Sequence, residues 1–454
     1  MDVLTPLLRG SALTAIFSDA QTVQGMLDFE AALARAEAQC NVIPVSAVAA
    51  IERACDVQNI DLPALADAAA SAGNLAIPLI KQLTAQVKQH DAEAARYVHW
   101  GATSQDAIDT GFVLQLRQAL LKTDAMLSSL LAAFAEQTEA HRDTVMPGRT
   151  WMQHALPVTF GLKLAGTLDA LLRWQRRLRE LQDNALTLQF GGAAGTLASL
   201  NENGPAVAQA LAKELSLTLP DTPWHSQRDR LLEVGHWYAG VCGTLGKFAN
   251  DFALLMQTEV AEVSEPTAPG RGGSSTMPHK RNPVGCAAIL TAAQRTPGLM
   301  ATLYASQIQQ HERALGGWQA EWEVLPELLT LSGAVMAQSE QLVRGMQVDT
   351  TKMRADLDIT HGLIMAEAVT LALAKHIGKQ DAHHLVETLC HQALEQKRPL
   401  LHLLEHNAHI TTHFSSAELT ALLDPSTGTG SARHFVRQVL TRYQEQRHDD
   451  SLSD

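Results

Sequence analysis

The sequence predicts an all-α fold organised around a bundle of long helices, and three observations carry that expectation. Ala and Leu dominate a chain of 454 residues in which 46% are hydrophobic and only 5% aromatic, a balance that favours helix and a sizeable buried core. Gly and Pro cluster in a few places instead of recurring as turn punctuation. Five segments, 112–140, 155–188, 228–262, 284–312 and 318–347, each run for roughly 30 residues with apolar side chains at three- and four-residue spacing.

Residues 11–105 read as several modest helices. Over 22–39, the residues Val23, Met26, Leu27, Ala31, Leu33 and Ala34 fall near helical spacing, and Pro44, Pro63, Gly73 and Pro78 break the stretch after it into short pieces. In the long segments strict heptads are not sustained, so a five-helix bundle is expected, with kinks at Pro297 and Pro326. Stretches such as 242–256 and 284–294 are apolar on more than one face, which predicts further burial between subunits. Residues 349–454 return to shorter helices broken at Gly362, Gly378 and Pro399, then a Ser/Gly-rich loop at 425–431, a last helix and a polar tail at 447–454 expected to fray. The expected division is 1–108, 109–348 and 349–454.

The formal charge of -13 argues against a nucleic-acid surface or an anionic membrane, but a local basic pocket can still take an anionic small substrate. There is no run of about 18 uncharged apolar residues, and the first residues lack a basic stretch followed by an apolar one. Neither a spanning helix nor a signal peptide is therefore expected. Cys40, Cys55, Cys242, Cys286 and Cys390 are odd in number and contain no Cys-x-x-Cys pair, which points to reduced thiols in a cytoplasmic protein. Without His-Glu-x-x-His or a compact Cys/His cluster no metal is expected. Gly191 to Gly195 does not follow a predicted strand, so a dinucleotide is not expected either.

Three segments hold more polar and glycine content than a bundle needs: 99–106 (His-Trp-Gly-Ala-Thr-Ser-Gln-Asp), 147–154 (Pro-Gly-Arg-Thr-Trp-Met-Gln-His) and 272–283 (Gly-Gly-Ser-Ser-Thr-Met-Pro-His-Lys-Arg-Asn-Pro). Each lies at or near the end of a predicted long helix, where free N–H groups attract anions. Each also has a plain reading. Thr103, Ser104 and Asp106 suit helix caps, Gly148 to Thr150 suits a turn, Lys280 and Arg281 suit solvated charges, and His99 suits a satisfied core histidine.

Together the three resemble the fumarase/aspartase superfamily. Gly273-Ser274-Ser275-x-Met277-Pro278-x-Lys280-x-Asn282-Pro283 matches its long motif at every defining position, and Thr103-Ser104-x-Asp106 and Gly148-Arg149-Thr150-x-x-Gln153 match its other two regions in order. The resemblance covers essentially the whole chain. It implies a three-domain all-α homotetramer with a twenty-helix core and active sites assembled from three subunits. It also implies chemistry beside a carboxylate through an enediolate. The proton-transferring group would be Ser274, with Ser275 second, and Lys280 and Asn282 would steady the charge. A donor of that kind is worth about 3–4 kcal/mol of barrier by analogy with oxyanion holes.

Two departures narrow the resemblance. Most members read Gly-Arg-Thr-His and place a Glu five residues after the loop Asn, and that pair assists the leaving group. Here the positions are Trp151 and Ala287. Hydroxide, from water of pKa about 15.7, needs such help, whereas a carboxylate of pKa about 4 does not. The nucleophile or leaving group is then expected to be a carboxylate, and its intramolecular addition to a double bond is lactonisation.

The stretch 313–322 (Arg-Ala-Leu-Gly-Gly-Trp-Gln-Ala-Glu-Trp) lacks the hydroxyls and second Arg with which adenylosuccinate lyases grip a nucleotide phosphate. The Gly-Arg-Thr-Trp-Met-Gln form and the glycine-rich 190–196 look like the lactonising branch, the bacterial 3-carboxy-cis,cis-muconate cycloisomerases. The implied activity is cofactor-free lactonisation in protocatechuate breakdown by the β-ketoadipate route. The implied substrate contacts are His99, Thr103, Ser104, Arg149, Trp151, Gln153, Met277 and Arg313. A C–N lyase of the adenylosuccinate lyase type and a non-catalytic structural paralogue are the alternatives.

Overall fold

The five long apolar segments form the helices Ser104–Ala140, Phe160–Ala185, Asp229–Leu255, Val284–Ser306 and Gly317–Gly345. The structure, a computed structural model, describes residues 3–273, Met277 and residues 279–453. The fold is all-α, with Pro297 and Pro326 inside their helices. None of the helices among the described residues is long and apolar enough to cross a membrane.

Several expected boundaries move. The first long helix starts at Ser104 instead of 112, because Asp106 turns back to accept the Thr103 N–H at 3.0 Å and closes its first turn. The second starts at Phe160 instead of 155. Pro157, Val158 and Thr159 immediately before it disfavour helix, and their strand pairs in the hairpin Val145–Thr150 with Gln153–Thr159. The fourth stops at Ser306, where the Ser306 hydroxyl and the Gln309 amide take the last carbonyls. The tail expected to fray continues the helix Ala432–Ser453. The breaks in the first hundred residues fall as read: Pro63 sits in the first turn of Leu62–Ala72, and Gly73, at φ 79°, ends it.

By packing, the chain divides into two compact units. One holds Met1–Ser128, Arg173–Gly246 and Ala288–Gln338, and the other Ser129–Leu172, Lys247–Ala287 and Ser339–Asp454. In the first unit the long helices are cross-linked inside the core: Thr123 and Tyr238 hydroxyls meet at 2.8 Å, and Trp174 donates to Thr244 at 3.0 Å. Gly240 permits this, since a Cβ there would lie 2.3 Å from the Trp174 ring. Arg228, 2% exposed, is held by both carboxylate oxygens of Asp109 and of Glu321, and Trp318 adds an N–H to Asp109. In the second unit Phe134 packs edge-on against Phe248, and a separate cluster of Leu373, Val386, Leu389, Leu400, Leu404 and Leu419 forms the core of the last hundred residues.

The helix Asp19–Gln39 in the first unit buries Glu30 and Glu37 among Met26, Phe29 and Leu33. Among the described residues neither carboxyl oxygen of Glu37 has a hydrogen-bond partner. Burial, and then the neighbouring Glu30, push its carboxyl up to about 9. Folding therefore takes up a proton, and the stability associated with this group falls as pH rises from about 4.5 towards 9. Glu37→Gln is expected to stabilise the protein by about 1–3 kcal/mol at pH 8 and hardly at all near pH 4.5. Urea unfolding at the two pH values checks this, and an equal gain at both would contradict it.

Candidate active site

In the first unit the site grows from Asp106, fully buried one turn into the first long helix. Besides the Thr103 N–H, it accepts the N–H groups of Gly191 and Gly192 at 3.0 and 2.9 Å and the Nε2–H of His225 at 2.7 Å. A carboxylate removed from water requires such compensation. Gln189 extends the seam, exchanging hydrogen bonds with Thr110 and accepting from the Trp224 N–H. Asp106 thereby joins the 103–106 turn, the glycine-rich segment and residues 224–225.

Around this anchor lie four of the expected substrate contacts. Arg313 donates to the Thr103 hydroxyl at 2.9 Å and to the carbonyls of Gly192 and Ala193 at 3.4 and 3.0 Å. Ser104 is half-buried at the start of the helix. His99 meets the Glu30 carboxylate through Nδ1 at 2.6 Å. Burial alone would lower the His99 pKa, but the Glu30 charge and hydrogen bond, with Asp106 behind them, raise it above the ordinary imidazole value. Neither Glu30 nor His225 was legible as a site residue, because each reaches its partner across a sequence gap that no spacing rule spans.

In the second unit the segment 147–154 is a hairpin, not a plain turn. Thr150 pairs with Gln153, and the two residues between them, Trp151 and Met152, have φ of 52° and 65°. Positive φ at both central positions is what a two-residue type I′ hairpin requires, although Asn-Gly is the usual filler. Trp151 is 98% exposed at the tip. Gln153 is exposed and donates to the Met152 carbonyl at 3.3 Å. Arg149 grips the fully buried Glu262 with two hydrogen bonds of 3.0 and 2.7 Å. Burial raises the Glu262 carboxyl above its ordinary value against the pull of Arg149.

Glu262 adjoins Val263–Ser264, which pairs with Gln347–Val348 and walls a cleft of about 1100 Å³. Met277, Lys280 and Asn282 line the same cleft, Met277 and Lys280 exposed and Asn282 half-buried. The segment that carries them is closed at its neck. The Asn282 N–H donates to the Gly272 carbonyl at 2.8 Å, and Gly273 bridges Arg281. Gly272 has φ 68°, and a Cβ on it would lie 2.8 Å from the Asn282 oxygen, so this neck admits only glycine. Beyond it, Glu265 accepts the N–H groups of Gly285 and Cys286 in the first turn of the fourth long helix, where a negative charge suits the helix dipole. Ala287 is exposed in the same turn. Ser274 and Ser275 lie outside the described residues.

Comparison with known proteins identifies the family. The family described as lyase matches residues 9–298, and that described as adenylosuccinate lyase C-terminus matches residues 362–439. The chain belongs to this lyase family, the fumarase/aspartase superfamily. Among its relatives, the 3-carboxy-cis,cis-muconate cycloisomerase of Pseudomonas aeruginosa is 55% identical over 95% of this chain and 94% of its own length. That of Bradyrhizobium diazoefficiens is 51% identical over 96% and 97%. The crystal structure of the 3-carboxy-cis,cis-muconate lactonizing enzyme from Pseudomonas putida matches with a TM-score of 0.94 and 49% identity, over 98% of this chain and 99% of that one.

Arg149→Ala leaves the Glu262 charge buried without its partner. It is expected to cost about 3–5 kcal/mol in urea unfolding, and the added change Glu262→Gln is expected to restore much of that. A loss below about 1 kcal/mol would mean that the pair does not hold the hairpin.

Proposed function

We propose that the protein is a cofactor-free cycloisomerase that converts 3-carboxy-cis,cis-muconate to γ-carboxymuconolactone. The substrate's own carboxylate adds to a double bond, the excess charge collects on another carboxylate as an enediolate, and the Ser274 hydroxyl delivers a proton to carbon. Solvent then reprotonates Ser274, and the net change is an isomerisation. Lys280 and Asn282 carry the enediolate charge, Ser275 is the second choice for the proton transfer, and His99, Thr103, Ser104 and Arg313 meet the remaining carboxylates. Arg149, Trp151, Gln153 and Met277 line the substrate. The carrying observation is that the polar loop is complete while Trp151 and Ala287, neither able to pass a proton, occupy the positions of the leaving-group acid and its partner. The names of relatives more than half identical support the same reaction.

The same reading includes a cytoplasmic homotetramer with domains 1–108, 109–348 and 349–454, a twenty-helix core and active sites shared among three subunits. Three features support it. The expected contacts fall into two sets in different units, and the cleft of about 1100 Å³ is wider than the roughly 300–1000 Å³ usual for a small ligand. Tyr304 and Ile308, at the end of the fourth long helix, are 54% and 80% exposed. All five cysteines are free, as suits a reducing compartment.

A second reading, a C–N lyase of the adenylosuccinate lyase type, has the match over residues 362–439 in its favour. Mixing the protein with 3-carboxymuconate and with adenylosuccinate, and following the loss of each chromophore, separates the two. Loss of the first alone is expected. Ser274→Ala is expected to lower lactonisation by at least about 10²–10⁴-fold with the oligomer intact, and near-normal turnover would remove Ser274 from the reaction. Trp151→His with Ala287→Glu is expected to bring no acceleration; a large gain would contradict the leaving-group argument. Sedimentation at four chain masses is expected, and a monomer that turns over substrate would exclude shared sites.

A further inference from the structure

Glu30 lies 2% exposed on the apolar face of the helix Asp19–Gln39, and the proposed lactonisation gives it no task. Its side chain has one hydrogen-bond partner among the described residues, the His99 Nδ1 at 2.6 Å. His99 has φ 59°, a left-handed conformation that a non-glycine residue holds only when its surroundings impose it. Its Nε2 takes no hydrogen bond among the described residues, and the ring is 17% exposed, so that nitrogen is left for something that arrives. Four residues further on, Thr103 receives the Arg313 guanidinium, which places a second cation on the same turn.

We propose that Glu30 is a positioning residue of the site: by fixing the His99 ring through Nδ1, it presents the Nε2–H of that ring to a carboxylate of the substrate. The inference rests on the reading of His99 as a substrate contact. The charged groups that act on His99 are Glu30 from the helix Asp19–Gln39 and Asp106 from the first long helix. Burial opposes the imidazolium, and these two carboxylates outweigh it. The ring keeps its charge past the ordinary imidazole value and loses it as pH rises further. Glu37, seven residues beyond Glu30, is neutral below about 9 and adds no competing charge.

The test compares wild type, Glu30→Gln and His99→Gln. It measures kcat and KM for 3-carboxymuconate, and the inhibition constant of tricarballylate, from about pH 6 to 9. In wild type, KM and the inhibition constant rise as His99 loses its proton. Glu30→Gln is expected to move that rise to lower pH, so that binding weakens severalfold at a pH where the wild-type KM has not yet risen, while kcat changes less than about threefold. In His99→Gln the rise is expected to vanish. A folded, active Glu30→Gln enzyme whose KM profile overlays that of wild type would overturn the proposal.

Should Glu30→Gln fail to fold, carbon-13 labelling of histidine in wild type decides the matter. Titration of His99 above about 6.5 supports the proposal, and titration at or below that value overturns it. This measurement needs no substrate. Absence of turnover would therefore sink the functional reading, while the His99 titration still reports on Glu30.

Discussion

One carboxylate organises the candidate site residues of the first unit. Asp106 sits where no water reaches it and collects four donors from three stretches that are remote in sequence: the turn that starts the first long helix, the two glycines at 191 and 192, and His225. A buried charge with that many donors permits little variation in the geometry around it. Arg313 then closes over the result, tying Thr103 to the glycine-rich carbonyls. The positions of His99, Thr103 and Ser104 follow from this anchor more than from the local preference of their own residues, as the left-handed backbone at His99 indicates.

Much of the architecture was legible in the chain because helical periodicity is a local property. The five long helices, the breaks at Gly73, Gly362 and Gly378, and the cap-like Thr103-x-x-Asp106 are written in neighbouring residues. Where the reading slipped, a competing local signal was present but underweighted. The β-branched and proline residues before Phe160 made a hairpin where helix was expected. The tight Gly-Arg-Thr segment was read as a turn, whereas the turn itself falls on Trp151 and Met152, residues with no preference for positive φ.

The candidate site residues were picked out by motif, while their partners were not legible. Nothing near Arg149 in sequence announces Glu262, and nothing near His99 announces Glu30, since such pairings exist only after packing. One signal was available. Glu30 and Glu37 stand seven residues apart on the apolar face of their helix, among Met26 and Leu33, and a carboxylate in that setting requires a partner or a proton. Glu30 has the partner and Glu37 takes the proton.

Arg149 and Arg313 carry the same guanidinium, yet their partners give them different electrical characters. Arg149 is paired at close range with the Glu262 carboxyl, which damps its charge without removing it, since that charge still acts on His154 and Lys163. Arg313 is held, among the described residues, only by a hydroxyl and two carbonyls, which steer it without neutralising it. A chain of net charge -13 repels an arriving anion as a whole, and Arg313, with no carboxylate among its hydrogen-bond partners in the described residues, offsets that repulsion locally.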